Sequence, residues 1–332
     1  MKAAYIEATG GPEIIRYGDL PDPTPSAGQV RVRVAAASVN PVDTYIRAGK
    51  VAMQLPMPFI PGCDLAGIVD AVGEGATRFR IGDRVWGSNQ GLLGRQGTFA
   101  EFCCTSEDWL YPLPAGVPET DAAAIALVGI TAHLGLFGRV QTTSADTVFV
   151  NGGTGGVGAC VVQMAKAVGA TVITTVGSEE KASLARSLGA DHVFNYKTDD
   201  VAARVKEATA GRGVDVWYET QPPSDFDRTI DMMATNGRIM VMAGRQARPV
   251  FPNGPFYVKG LALHGFAMYM RPASEQRICA DHINRWLVEK KLRPLIGRTM
   301  PLSEAAAAHR LQEENTLGKS GTLSGKIVVL PG

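Results

Sequence analysis

Two hydrophobic patterns divide the chain. Up to about Thr120 the apolar residues fall in short runs separated by proline and glycine, and Gln29–Ala35 (QVRVRVA) alternates strictly between polar and apolar. A period of two sends one face of a strand to a core and the other to solvent, so this stretch predicts a β-rich, partly open domain. Asp64–Val72 (DLAGIVDAV), with GEGATRFRIGDRV behind it, and Gly97–Cys103 (GTFAEFC) predict further strands and turns.

From about Asp121 the pattern changes. Helical spacing over Asp121–Phe137, Ala159–Val168, Glu179–Leu188, Asp199–Ala208 and Phe226–Met233 alternates with apolar runs at Thr147–Val150, Thr171–Val176, His192–Phe194, Val214–Tyr218 and Arg238–Met242. Repeated helix-strand alternation predicts an α/β fold with a doubly wound parallel sheet. Beyond about His264 the spacing predicts a helix over Ser274–Glu289, another from Ser303, and a last strand Lys326–Leu330. The expected division is 1–121, 122–264, and a tail 265–332 that returns to the first domain.

At the start of the alternating half, TVFVNGGTGGVG (Thr147–Gly158) passes from a β-branched run into glycines and then into an apolar helix. Gly153, Gly155 and Gly158 satisfy G-x-G-x-x-G, with Thr154, Gly156 and Val157 between them. A tight turn, a backbone close to a pyrophosphate and a helix packed on its strand each require a missing side chain. The helix N-terminus adds free N–H groups and a positive dipole end. This is the layout of a dinucleotide-binding turn.

At 332 residues the chain is long for one domain, and 45% apolar with 20% charged residues suits a soluble globular protein. A net charge of +1 gives no electrostatic footprint for nucleic acid. The opening MKAAYIEATGGPE lacks both an apolar signal core and an Arg-rich transit character, so a cytoplasmic location is expected. Ala122–Gly138, the longest apolar stretch, contains Thr131, His133 and glycines, which fits a buried helix better than a membrane span. Cys63, Cys103, Cys104, Cys160 and Cys279 form no C-x-x-C pair and read as reduced thiols.

The order of these features, with MKAAYIEATGGPEIIRYGDLPDP, SVNPVDTYIR (Ser38–Arg47), PGCDLAG (Pro61–Gly67), VGEG (Val72–Gly75), GDRV (Gly82–Val85), GADHVFNY (Gly189–Tyr196) and the closing GKIVV, resembles the medium-chain dehydrogenase/reductase superfamily. The likeness is greatest to its zinc-independent quinone oxidoreductases of the zeta-crystallin type. It spans essentially the whole chain. It implies a GroES-like catalytic domain beside a Rossmann NADP-binding domain, nicotinamide between the two, a homodimer, and NADPH-dependent reduction of quinones or related conjugated carbonyls. A 2-alkenal or enone reductase is the alternative within that chemistry. A non-catalytic cofactor-binding or RNA-associated protein is the alternative outside it, and the near-neutral charge argues against RNA.

Zinc-dependent relatives supply ligands near the VNPVD segment, at a Gly-His-Glu and before the nucleotide turn. Here those places hold Ser38, Cys63-Asp64 and LVGIT (Leu127–Thr131). A catalytic zinc takes three protein ligands and only two can be assembled, so no metal is expected. The second strand of the nucleotide unit ends in Gly177-Ser178 without the carboxylate that would bond a ribose 2′-OH. Ser178 can donate to a 2′-phosphate and Lys181 can supply charge, which favours NADPH, while the competing reading makes Ser178 a helix cap with Glu179 and Glu180 on the dipole.

With no metal, carbonyl polarisation falls to hydrogen-bond donors. Asn40 is one candidate, with a turn cap before Pro41 as its plainer role. Tyr45 and Thr131 are implied by the resemblance, as are cofactor contacts at Tyr196, at Met242, Ala243, Gly244 and Arg245, and at Phe266, Ala267 and Met268. The family's polar contact near Gln221-Pro222-Pro223 is not carried over, because the two prolines have no N–H to give.

Overall fold

The computed structural model describes residues 1–318 and 320–332. The chain divides into two compact units. One contains residues 1–127, 272–288 and 293–332, and the other contains 128–271 with 289–292. The first break falls after Leu127, further along the helix Glu119–His133 than the expected 121, and residues 265–271 stay with the second unit.

The first unit is built on a seven-stranded sheet. Its order is Ile296–Pro301, Lys326–Leu330, Gln29–Val39, Asp64–Val72, Arg84–Gly87 and Leu110–Pro112, with Phe102–Ser106 pairing to Gln29–Val39 off that path. The alternation read in QVRVRVA is obeyed: Val30, Val32 and Val34 are buried, while Arg33 and Ala35 are exposed. Each valine taken out of water contributes on the order of 1.5–3 kcal/mol. Lys326–Leu330 pairs antiparallel with the long Gln29–Val39 strand, Val328 facing Ser38.

One strand forms later than expected. Gly97–Ala100 ties instead to neighbouring loops, with the Gly97 N–H on the Ile60 carbonyl and the Ala4 N–H on the Phe99 carbonyl, and the strand starts at Phe102. A β-carbon at Gly97 would lie 2.4 Å from the Ile60 and Pro61 carbonyl oxygens, so the backbone itself is packed there.

The second unit has a six-stranded, wholly parallel sheet ordered His192–Asn195, Thr171–Val176, Thr147–Asn151, Val214–Glu219, Met233–Val241 and Ala262–Gly265. From Thr147–Asn151 the chain first builds outward to one side and then to the other, so the direction of winding reverses between this strand and Val214–Glu219. In such sheets ligands bind outside the carboxyl ends of the strands at that reversal. Phe149 and Trp217 stack across it with ring centroids 4.0 Å apart.

The helix expected over Asp121–Phe137 runs Glu119–His133 and passes into a π turn, Leu134–Arg139. Gly135 in this turn lets the Tyr218 ring pack against the backbone: a β-carbon there would sit 2.2 Å from the Tyr218 hydroxyl oxygen. Glu119–Arg139 is long and apolar enough to cross a membrane, yet 78% of that window is buried in the protein, as in a core helix.

Candidate active site

In the second unit, three glycines of the turn are required by the protein's own geometry. Gly152 has φ +87, open to glycine at no steric cost, and β-carbons at Gly153 and Gly158 would come within 2.2 Å of the Thr174 hydroxyl oxygen and 2.1 Å of the Gly152 carbonyl oxygen. Gly155 is different. Its nearest neighbour would lie 3.5 Å away, an ordinary contact, so nothing inside the protein requires glycine there. A backbone kept bare at the N-cap of a helix, where the first amides lack acceptors, fits an outside group approaching closely. The residues therefore suit a pyrophosphate. The helix spans Gly156–Ala167, beginning ahead of the expected Ala159, so Gly156, Val157 and Gly158 lie in its first turn, and Thr154 is buried just before it.

Beside this turn, the Thr171–Val176 strand ends at Gly177, where a β-carbon would meet the Tyr196 hydroxyl oxygen at 2.4 Å. Tyr196 follows the His192–Asn195 strand, bonds through its N–H to the Val176 carbonyl, and is 56% exposed. Ser178 caps the helix Glu179–Ser187 by accepting the Lys181 N–H at 3.3 Å. The capping role is thus real, and it leaves the hydroxyl proton free to be donated. Glu179 makes an exposed ion pair with Arg186.

Met242, Ala243, Gly244 and Arg245 follow the Met233–Val241 strand, with Gly244 at φ +81 next to Pro222. Phe266, Ala267 and Met268 follow Ala262–Gly265, and the Arg139 guanidinium lies 6.0 Å from the Phe266 ring centre. Thr131 is nearly buried, and its carbonyl accepts the Tyr218 hydroxyl at 3.2 Å.

In the first unit a buried carboxylate, Asp64, organises the centre. Its Oδ2 accepts from the Ser38 hydroxyl and Asn40 Nδ2, both at 2.8 Å, and its Oδ1 from the Ser88 hydroxyl at 2.7 Å and the Leu127 N–H at 3.1 Å. Lys326, also buried, donates to the Val39 carbonyl and to Asn40 Oδ1. Burial raises the Asp64 carboxyl above its ordinary range, opposed by the Lys326 charge and these hydrogen bonds. Asp43, on the short helix Pro41–Arg47, accepts the Asn40 N–H at 2.7 Å, and its carboxyl is pushed up to about 7, first by burial. Burial, with Asp43 beside it, also holds the Cys63 thiol far above its usual range.

This changes the reading of Asn40. It is fully buried, with one N–H of its amide given to Asp64 and its oxygen accepting from Lys326, so its contacts hold the carboxylate in place. Tyr45, on the same helix, is only partly buried, and burial followed by the charge of Glu313 raises its phenol, which stays protonated and able to donate. Among the described residues no three His, Cys, Asp or Glu side chains are grouped to hold a metal. Asp64, with four donors already on its two oxygens, does not fit a metal ligand.

Several residues that the structure ties to these places lay outside the sequence expectations: Lys326 and Ser88 around Asp64 and Asn40, and, in the second unit, Glu219, which accepts from the Asn151 amide ahead of the glycine turn. For Lys326 the available signal was a charged residue at one end of an otherwise apolar run, KIVVL (Lys326–Leu330), whereas VDVWYE (Val214–Glu219) carries Asp215 as well and singles out neither acid.

Residues 26–115 match the family described as alcohol dehydrogenase GroES-like domain, and residues 156–283 match the one described as zinc-binding dehydrogenase. A quinone oxidoreductase of Rattus norvegicus is 32% identical over 99% of this chain and 98% of its own length. The chain belongs to the medium-chain dehydrogenase/reductase superfamily. It is an oxidoreductase of that superfamily, similar throughout its length to the quinone oxidoreductases. Two solved medium-chain structures align over 100% of both chains: a NAD-dependent alcohol dehydrogenase (33% identity, TM-score 0.89) and a mycobacterial protein complexed with NADPH (32% identity, TM-score 0.87).

Proposed function

We propose that this medium-chain reductase uses NADPH to reduce quinones or related conjugated carbonyls, without a metal. Bound NADPH would supply the hydride. The turn amides from Gly153 to Gly158 would hold the pyrophosphate, and Ser178 and Lys181 would take the 2′-phosphate, with Tyr196 walling the adenosine side. Met242–Arg245, Phe266–Met268 and Thr131 would line the nicotinamide. Tyr45 would donate to the acceptor oxygen as negative charge develops.

The observation that carries this reading is the acid-free strand end, Gly177 packed under Tyr196 and followed by a Ser178 hydroxyl with its proton to give. A carboxylate there would repel a 2′-phosphate. On the acceptor side, the saturation of Asp64 leaves chemistry to donors such as Tyr45, which suffices for a quinone because its reduction creates an aromatic ring.

The test is oxidation of NADPH by 1,4-benzoquinone and by a simple enone, each repeated with NADH. Quinone turnover preferring NADPH is expected, and Tyr45→Phe should lower kcat/KM for the quinone about 10-fold or more. Turnover confined to the enone would make the protein a double-bond reductase. No turnover on any acceptor would overturn the proposal.

A further inference from the structure

The glycine turn leaves its strand at Asn151, and Asn151 is gripped from both sides. On one side its Oδ1 accepts the Thr175 hydroxyl at 2.9 Å. On the other its Nδ2 donates to both oxygens of Glu219, at 2.9 and 3.1 Å. Asn151 and Glu219 are register partners in neighbouring parallel strands, so this contact spans the point where the sheet's winding reverses. Glu219 is 2% exposed, and its oxygens also accept the Trp217 indole N–H at 3.2 Å and the Gln221 backbone N–H at 2.8 Å. The Thr220 hydroxyl bonds the Asn151 carbonyl, the last acceptor before the turn. Gln221 Nε2 would stand 2.6 Å from a β-carbon on Gly152. The loop after Val214–Glu219 therefore backs directly onto the phosphate-binding turn.

A buried carboxylate is costly unless hydrogen bonds replace its water. Here four N–H to oxygen contacts do so, and every donor belongs to the strand ends or to the loop behind the turn. We propose that Glu219 is a positioning residue for the dinucleotide: an acceptor-only clamp that fixes Asn151, and through it the path of Gly152–Gly155, in the conformation that receives the pyrophosphate. The inference rests on the dinucleotide reading of that turn. An acid is required because a glutamine side chain in its place must present an N–H₂ group to one of these donors. That would set donor against donor and leave a buried polar group unpaired.

The experiment compares wild type, Glu219→Gln, Asn151→Asp and the double variant. NADPH binding is measured by titrating the quench of protein fluorescence, and backbone motion by amide hydrogen exchange over residues 152–158 without ligand. Glu219→Gln should raise the NADPH Kd about 10-fold or more, with kcat at saturating NADPH within twofold of wild type, and should speed exchange in the turn. The double variant reverses the polarity of the pair, with the new amide donating to the new carboxylate. Because the Trp217 or the Gln221 N–H still faces the new amide, recovery should be partial: Kd and exchange should be clearly less impaired than the two single changes combined, a recovery that a general loss of packing would not give. The proposal is overturned if Glu219→Gln binds NADPH and exchanges as wild type does, or if the double variant is as impaired as the two single changes combined. Should wild type bind neither NADPH nor NADH, the cofactor reading falls, and the exchange data alone then decide whether Glu219 holds the turn.

Discussion

His309 gives a stability prediction whose size follows from its surroundings. It lies on the helix Ala305–Thr316, is fully buried, and has no hydrogen-bond partner on either ring nitrogen among the described residues. Phe99 meets its ring edge-on at 5.5 Å, and the buried Arg47 guanidinium, paired with Glu313, lies close enough to repel a second positive charge. Burial first, and Arg47 second, lower its pKa from 6.5 to about 3. A depressed folded-state pKa contributes stability that is present above the unfolded value and is lost as pH falls towards the folded one. Between pH 6.5 and pH 5 the loss should be about 2 kcal/mol, at 1.36 kcal/mol per pH unit.

Replacing the ring with leucine removes that titration without breaking a hydrogen bond. At pH 7.5, His309→Leu should therefore change stability by only about 1.5 kcal/mol or less. Urea unfolding at pH 7.5 and pH 5, followed by tryptophan fluorescence, gives the comparison. The variant should gain about 2 kcal/mol relative to wild type on going to pH 5. A difference that stays constant between the two pH values would refute the reasoning, because it would mean that His309 takes up its proton inside the fold.

Asp43 predicts the opposite slope. Its folded pKa is raised to about 7, so its contribution is present in acid and lost as pH rises through that value, and Asp43→Asn should gain about 3 kcal/mol over wild type between pH 5 and pH 8 in the same assay. A gap that does not widen would place the buried negative charge elsewhere. The strand Ala262–Gly265 ends the parallel sheet, with Leu263, Tyr257 and Val258 exposed nearby. If a homodimer forms across this edge, Leu263→Asp should shift the sedimenting species to monomer, and an unchanged mass would move the interface elsewhere.

The α/β class and the parallel sheet were legible because β-branched runs and helical spacing alternate with few interruptions, and because glycine, having no side chain, marks the turn unambiguously. The strand at Phe102–Ser106 was misplaced by several residues since GTFAEF has the composition of a strand, while only the close approach of Ile60 and Pro61 forces its first half elsewhere. Asn40 could be named but not understood. Its two partners, Asp64 and Lys326, are separated from it by 24 and 286 residues, a pairing that no local pattern encodes. Glu219 escaped notice for the same reason, since its main partner Asn151 is 68 positions earlier.

The placing of Lys326 has a consequence for how the molecule is made. Residues 1–127 are synthesised first, yet they carry two buried carboxyls, Asp43 and Asp64, whose compensating ammonium arrives with the last strand. The stretch 128–271 depends on no such late arrival for its parallel sheet, which is assembled from consecutive elements. On the ribosome, then, the middle of the chain should reach its native state before the beginning does. A fragment ending near residue 127 should behave as an open chain.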